Sequence, residues 1–303
     1  MIDVVRPVPV ALRELLQRWE AAGRPLQGPT SWPVRSWQAW FPEHSEYLGS
    51  LPNPITRAHC IAACHEGLGQ QDDVVHGFLA AMVWGYGRVG YGPFRTARVL
   101  RENDAVTSTL AEAARIARTD GGPQAFEWLS RHRLRGLGVA FATKYLFFCA
   151  AGRDGAPALI LDRLVRRWLE QNADWTLSLD WRVPDYRAYV ETVTAWATEV
   201  GRDPAELEYL MFAAEATTDP SSQWSEPTLG SGGADASATD PTLTQGEFAV
   251  LDALDDAAEA FSALPSAEAS DDDDFRRGIR DLRRIVLASR LGELAASRSA
   301  DSE

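Results

Sequence analysis

The chain has 303 residues, enough to bury a large core in one or two domains. Its formal net charge is −13, and it holds no apolar run long enough to span a bilayer. Its three cysteines, Cys60, Cys64 and Cys149, do not make a disulfide framework, and the start Met1–Arg6 lacks a signal-peptide pattern, so a cytoplasmic protein is expected.

In chain order the apolar spacing reads as helix almost throughout. Pro9–Trp19 is amphipathic and ends near Gly23 and Pro25. Pro33–Phe41 is a short helix carrying Trp37 and Trp40. A helix is predicted from Asn53-Pro-Ile-Thr to about Gly67, and Asp72–Tyr86 continues the pattern. Cys60, Cys64 and His65 fall within one apolar helix and read as core rather than as metal ligands. Ala105–Arg118 ends before Gly121-Gly122. Gln124–Arg131 and Val139–Ala150 flank a short turn, Leu134-Arg-Gly136-Leu-Gly138. Only Ala158-Leu-Ile-Leu161 looks extended. Helices follow from Asp162, at Pro184–Val200 and at Pro204–Ala214. The fold class is therefore all-α, a multi-helix fold with a cleft between lobes. Residues 1–215 form the expected helical domain and 216–246 a Gly/Ser/Pro-rich linker. Residues 247–303 form an acidic tail with helices at Glu247–Leu264 and Phe275–Ala296. The tail reads as a docking or self-association element, or as a mobile solubilising segment.

The negative charge is unevenly placed. Residues 1–200 hold 22 basic and 21 acidic side chains, whereas residues 201–303 hold 8 and 22. Residues 83–170 hold 14 basic and 8 acidic side chains, a local balance of +6. Phosphate binding depends on such a patch and not on the total, so the acidic pI does not exclude nucleic acid.

Of 30 basic residues, 29 are arginine; Lys144 is the only lysine. Arginine cannot be deprotonated in a protein, so only Lys144 could serve as an amine nucleophile. The other reading is a leftover phosphate contact. The Gly136-Leu-Gly138 turn opens a helix, where unpaired amides and the positive dipole end suit a phosphate. Arg131, Arg133 and Arg135 flank it. An ordinary tight helical hairpin would use the same glycines. Asp162 follows Lys144 by 18 residues and sits where a helix N-cap belongs.

Leu134-Arg-Gly-Leu-Gly138, the helix after it and Leu159-Ile-Leu-Asp162-Arg-Leu-Val-Arg together resemble the helix-hairpin-helix DNA glycosylases, particularly the 8-oxoguanine glycosylase-like branch. The core of the likeness covers residues 122–170, with the hairpin at about 122–150. A looser likeness spans about 54–215 and includes Met82-Val-Trp-Gly-Tyr-Gly-Arg-Val-Gly-Tyr-Gly-Pro-Phe-Arg95. The resemblance implies that Arg133, Arg135, Gly136, Gly138 and Val139 grip double-stranded DNA. It makes Asp162 the common catalytic carboxylate and a lysine the amine that attacks C1′. If the glycines are aligned, the lysine position falls on Ala140 and the enzyme is monofunctional. If Lys144 is aligned, its spacing to Asp162 fits a Schiff-base mechanism and the hairpin is longer. No cysteine follows Cys149, so the iron–sulfur cluster of some relatives is not expected, and no cofactor is.

A carboxylate beneath C1′ would stabilise the positive charge that develops as an N-glycosidic bond breaks. The base must first leave the stack. Trp84, Tyr86, Tyr91 and Phe94, on a segment broken by glycines, are candidates for a base pocket or wedge, with Arg88 and Arg95 for phosphates or polar base edges. A helix end with core aromatics is the alternative there. The resemblance extends in character to bacterial anti-phage glycosylases that remove glucosylated hydroxymethylcytosine from phage DNA. Excision of 8-oxoguanine in repair is the alternative activity. A non-catalytic hairpin protein that only binds DNA is the alternative of another class.

Overall fold

The computed structural model describes residues 6–66, 71–152, 156–178 and 180–218, and in the C-terminal stretch residues 250, 254, 257, 261, 271, 274–279, 281, 282 and 285. The chain divides into two compact units, Met1–Glu226 and Pro227–Glu303. Among the described residues no strand forms, and the fold is all-α.

The first unit runs α1 (Val10–Ala21), α2 (Val34–Trp40), a 3-10 turn (Pro42–His44), α3 (Ser45–Ser50), α4 (Arg57–Glu66), α5 (Gln71–Tyr86) and α6 (Gly92–Arg101). It continues with α7 (Val106–Thr119), α8 (Gly122–Arg131), α9 (Val139–Ala150), α10 (Arg163–Ala173), α11 (Val183–Val200) and α12 (Pro204–Thr218). Helix α1 buries Leu12, Leu16 and Trp19, one stripe at helical spacing. Helix α9 is different. Ten of its twelve residues are buried, so it is enclosed on nearly all sides. Around it pack α5, α7, α8 and α4. Phe78 of α5 meets Tyr145 edge-on at 5.5 Å, and Trp84 meets Phe148 edge-on at 5.2 Å.

Two local departures from the sequence pattern have physical causes. Helix α4 begins at Arg57, not Asn53. Ile55 exchanges backbone hydrogen bonds with Thr30 at 2.7 and 2.8 Å, so its amide and carbonyl are committed elsewhere. Thr56 Oγ1 then accepts from the His59 amide at 3.3 Å and starts the helix. The segment 87–101, read as glycine-broken, is a turn followed by α6. Gly87 takes φ +52° to leave α5, and Pro93 sits in the first turn of α6, where its missing amide costs nothing. Helix α12 extends to Thr218, past the expected domain edge at 215. The predicted linker from 219 to 246 and most of the two tail helices lie outside the described residues. In the second unit the Phe261 and Phe275 rings stack at 4.2 Å, and Asp274 pairs with Arg277 at 2.9 Å.

The extended segment Ala158–Leu161 is real but is not a strand. It is a buried strap between α9 and α10, and side-chain hydroxyls stand in for a neighbouring strand. Tyr186 Oη donates to Leu159 O at 2.9 Å and accepts from Leu159 N at 3.2 Å. Tyr189 Oη donates to Ile160 O at 2.9 Å, and Thr143 Oγ1 accepts from Leu161 N at 3.1 Å. These bonds meet the demand that buried backbone groups be paired. Burial pushes both phenols up, so they remain protonated donors.

The strap also lies directly against the start of α8. The Gly122 amide donates to Ala156 O at 3.0 Å, and a Cβ on Gly122 would fall 2.4 Å from Ala158 Cα. Gly122→Ala is therefore expected to cost about 1–3 kcal/mol through overpacking. Chemical denaturation measures it; an unchanged midpoint would mean that α8 and the strap are not in backbone contact.

Candidate active site

Lys144 lies in the middle of α9 with its side chain 9% exposed. Gly85 of α5 makes room for it: a Cβ there would fall 3.1 Å from Lys144 Cδ and 2.9 Å from Phe141 Cε1. The amine passes along the Phe141 ring, 5.4 Å from its centroid. Its Nζ then donates to Asp162 Oδ2 at 3.0 Å. Its partner is a carboxylate inside the protein.

The strap delivers Asp162 to this position. Its side chain is 12% exposed and divides its two oxygens between two tasks. Oδ1 accepts from the amides of Leu164 and Val165 at 3.1 and 3.2 Å, forming the N-cap of α10. Oδ2 faces Lys144. Burial raises the carboxyl pKa. The Lys144 charge, its hydrogen bond, the Val165 amide and Arg163 together outweigh that and hold it below its ordinary 3.8. The N-cap role and the chemical role anticipated for Asp162 thus do not compete for the same oxygen.

The hairpin turn sits at the other end of α9. Leu134 and Leu137 are buried and anchor the turn, with Leu137 N donating to Leu134 O at 3.0 Å. Arg133, Arg135 and Gly136 face outward. Gly136 holds φ +84°, which a side chain would disfavour. Gly138 occupies the N-cap of α9, Val139 is its first residue, and no side chain caps this end. The first amides of α9 therefore point into the turn. Arg131 pairs with Glu127, so it is less available than Arg133.

The aromatic candidates separate by burial. Trp84 is enclosed in the core, and Phe94 packs edge-on to Trp40 at 5.5 Å. Tyr86 is buried and stacks on Phe141 at 4.0 Å, beside the Lys144 stem. Arg88 is exposed and Tyr91 half-exposed on the turn between α5 and α6; Arg95 is buried. The helix-and-core alternative describes Trp84 and Phe94. Of the six positions, Arg88 and Tyr91 are the outward-facing ones.

A second buried ion pair adjoins the first, and the sequence reading had missed it. Glu208 of α12 is fully enclosed and meets Arg57 of α4, with Nη1 to Oε2 at 3.0 Å and Nη2 to Oε1 at 3.5 Å. Arg57 also donates through Nε to Gln27 at 2.6 Å and lies 4.9 to 5.9 Å from the Phe147, Trp84 and Tyr209 ring centroids. Burial raises the Glu208 carboxyl pKa against the pull of Arg57, and Glu208 interacts electrostatically with Asp162 and Lys144. The available signal was one acid inside the apolar run Leu207-Glu-Tyr-Leu-Met-Phe212.

Two measurements follow. Asp162, depressed on folding, contributes stability above its unfolded pKa, and that contribution is lost as pH falls through the lower folded value. Lys144→Met removes the charge that most depresses it, so the Asp162 carboxyl should titrate at higher pH in ¹³C NMR. An unmoved titration would mean the pair does not form. Arg57→Ala leaves Glu208 enclosed without its counter-charge and should cost about 3–5 kcal/mol in denaturant unfolding. The double variant Arg57→Met with Glu208→Leu should recover most of that; no recovery would show that the loss came from packing alone.

Residues 23–212 match a family described as "Putative 8-oxoguanine DNA glycosylase OGG-like protein". No curated protein matches the chain, and no solved structure does. Among the described residues no helix is long and apolar enough to cross a membrane. The matched stretch takes in the hairpin, Lys144, the strap, Asp162 and the Arg57–Glu208 pair, and on that coverage the chain belongs to the OGG-like 8-oxoguanine DNA glycosylase family.

Proposed function

We propose that the chain is a DNA N-glycosylase in which Asp162 and Lys144 act on C1′ of an extruded nucleotide. The observation that carries this reading is the 3.0 Å contact between the only lysine and the N-cap aspartate, one on the hairpin helix and one on the helix after it. Family membership supports DNA as the partner.

The hairpin amides and Arg133 and Arg135 hold the backbone beside the lesion. In this reading Arg88 and Tyr91, which face outward on the turn between α5 and α6, meet the opened duplex. As the C1′–N bond weakens, positive charge develops on the sugar. Asp162, ionised and desolvated, opposes that charge at close range. For nucleophilic attack Lys144 must first give up a proton, and Asp162 Oδ2 is an acceptor within reach. The neutral amine then bonds to C1′ while the base leaves with the bonding electron pair and takes the proton that Asp162 received, which leaves Asp162 ionised again. The new nitrogen passes a proton to the ring oxygen as that oxygen leaves C1′, which gives a protonated imine, from which strand cleavage by β-elimination can follow. If Lys144 only positions Asp162, water takes the place of the amine and the product is an intact abasic site.

The base is the finer question. 8-Oxoguanine follows the family description. Glucosylated hydroxymethylcytosine in phage DNA is the second candidate substrate, with defence as the corresponding role. Purified protein incubated with unmodified, 8-oxoguanine and glucosyl-hydroxymethylcytosine DNA separates them by the appearance of alkali-labile sites. Asp162→Asn keeps an oxygen for the α10 cap and removes the charge. It should lower base release by at least about 100-fold while DNA binding persists. Base release undiminished in Asp162→Asn would remove Asp162 from the chemistry, and no release by wild type from any of these substrates would favour a binding module. Borohydride should trap wild-type protein on DNA and leave Lys144→Ala untrapped. Trapping that survives in Lys144→Ala would assign the amine elsewhere.

A further inference from the structure

We propose that the Glu102–Asn103 bend, between α6 and α7, is the positioning element of the DNA-gripping hairpin: Asn103 fixes the backbone of its turn, and Glu102 restrains its outermost arginine. This rests on the reading of the hairpin as the DNA contact.

Asn103 lies 32 residues from Arg135 in sequence and bonds both of its backbone groups. Its Oδ1 accepts from Arg135 N at 2.9 Å, and its Nδ2 donates to Arg135 O at 3.1 Å. The same Nδ2 donates to Val99 O at 2.9 Å, which ties the side chain to the end of α6. A turn residue normally leaves its amide and carbonyl to water. Here one amide side chain serves both, as a neighbouring strand would. Only a group that donates and accepts at once can do this, which selects asparagine over aspartate. The next residue, Gly136, holds φ +84° with its open side toward Val99 Cγ2, 3.4 Å from where a Cβ would lie. Arg135 and Gly136 are therefore fixed from α6, while Leu134 and Leu137 are fixed from the core.

Glu102 adds a charge contact. Its carboxylate accepts from Arg98 Nε at 3.0 Å and Nη2 at 3.4 Å, and it lies 3.6 Å from Arg135 Nε. The Arg135 side chain is 75% exposed, so this carboxylate occupies the guanidinium that would otherwise reach a phosphate. The Arg98 hydrogen bond is the main influence that holds the Glu102 carboxyl below its ordinary pKa. Binding DNA through Arg135 then requires an exchange of Glu102 for a phosphate, and the contact given up is subtracted from the affinity gained.

The test uses the full chain, a labelled duplex with a stable abasic-site analogue, and a salt series. Asn103→Ala should weaken binding about tenfold, since the turn must be ordered at the moment of binding, and the loss should fall on KM more than on kcat. Asn103→Asp loses both donated bonds, adds a negative charge and should bind more weakly still. Glu102→Gln should bind more tightly at low salt, with a log–log salt slope steeper by about one because no acid beside Arg135 then offsets its charge at the phosphate. Arg133→Ala is the control for the underlying reading. If Arg133→Ala weakens binding while Asn103→Ala and Glu102→Gln leave affinity and slope unchanged, the brace is overturned. If Arg133→Ala also has no effect, the hairpin is not the DNA contact and the brace falls with it. Should Asn103→Ala fail to fold, the Glu102→Gln slope decides alone, and an unchanged slope overturns the proposal.

Discussion

The Lys144–Asp162 ion pair sets the terms for the rest of the first unit. Two opposite charges are enclosed side by side, and neither is stable there without the other. Each must be delivered by an element that cannot drift. Lys144 is held on a helix buried on almost all sides. Asp162 is held by an N-cap and by a strap whose amides and carbonyls are tied to three hydroxyls. Thr143, next to Lys144 in sequence, holds Leu161, next to Asp162. The two charged residues are therefore aligned by a hydrogen bond from the Leu161 amide to the Thr143 hydroxyl as well as by their own attraction.

This arrangement gives the small residues definite work. Gly85 leaves the channel through which the lysine stem passes, and Gly122 lets α8 meet the strap. Both lie on helices, where glycine weakens the element relative to alanine. The loss is offset by the close approach that each allows. The tyrosines Tyr186 and Tyr189 belong to the same economy of space. They fill the core with rings and place an oxygen where a peptide group needs a partner.

Much of this was legible in the sequence. Helical spacing gave the class and most boundaries within the first unit, and the Gly136-Leu-Gly138 turn, Lys144 and Asp162 were identified as a constellation. The short α3 and the early part of α4 were not legible. Asn53-Pro-Ile-Thr has the look of a helix start, and only the long-range bridge from Thr30 to Ile55 forbids it. The run from Trp84 to Arg95 was readable as glycine-rich but not as a turn plus a helix, because burial and not composition decides which aromatics face inward. Arg57 and Glu208 were overlooked because they are 151 residues apart: an acid in an apolar run marks Glu208, but nothing near it in sequence names its partner. Asn103 escaped for the same reason: a side-chain amide that bonds a distant backbone leaves no local pattern.

The Arg57–Glu208 contact also bears on how far the chain can be shortened. The family match ends at residue 212, just beyond Glu208. A fragment ending before α12 would keep Arg57 among the rings of Trp84 and Phe147 and discard the acid that neutralises it. The smallest self-sufficient piece must therefore contain both ends of that contact. On this view the C-terminal limit of a usable fragment is drawn by a counter-ion as much as by a helix.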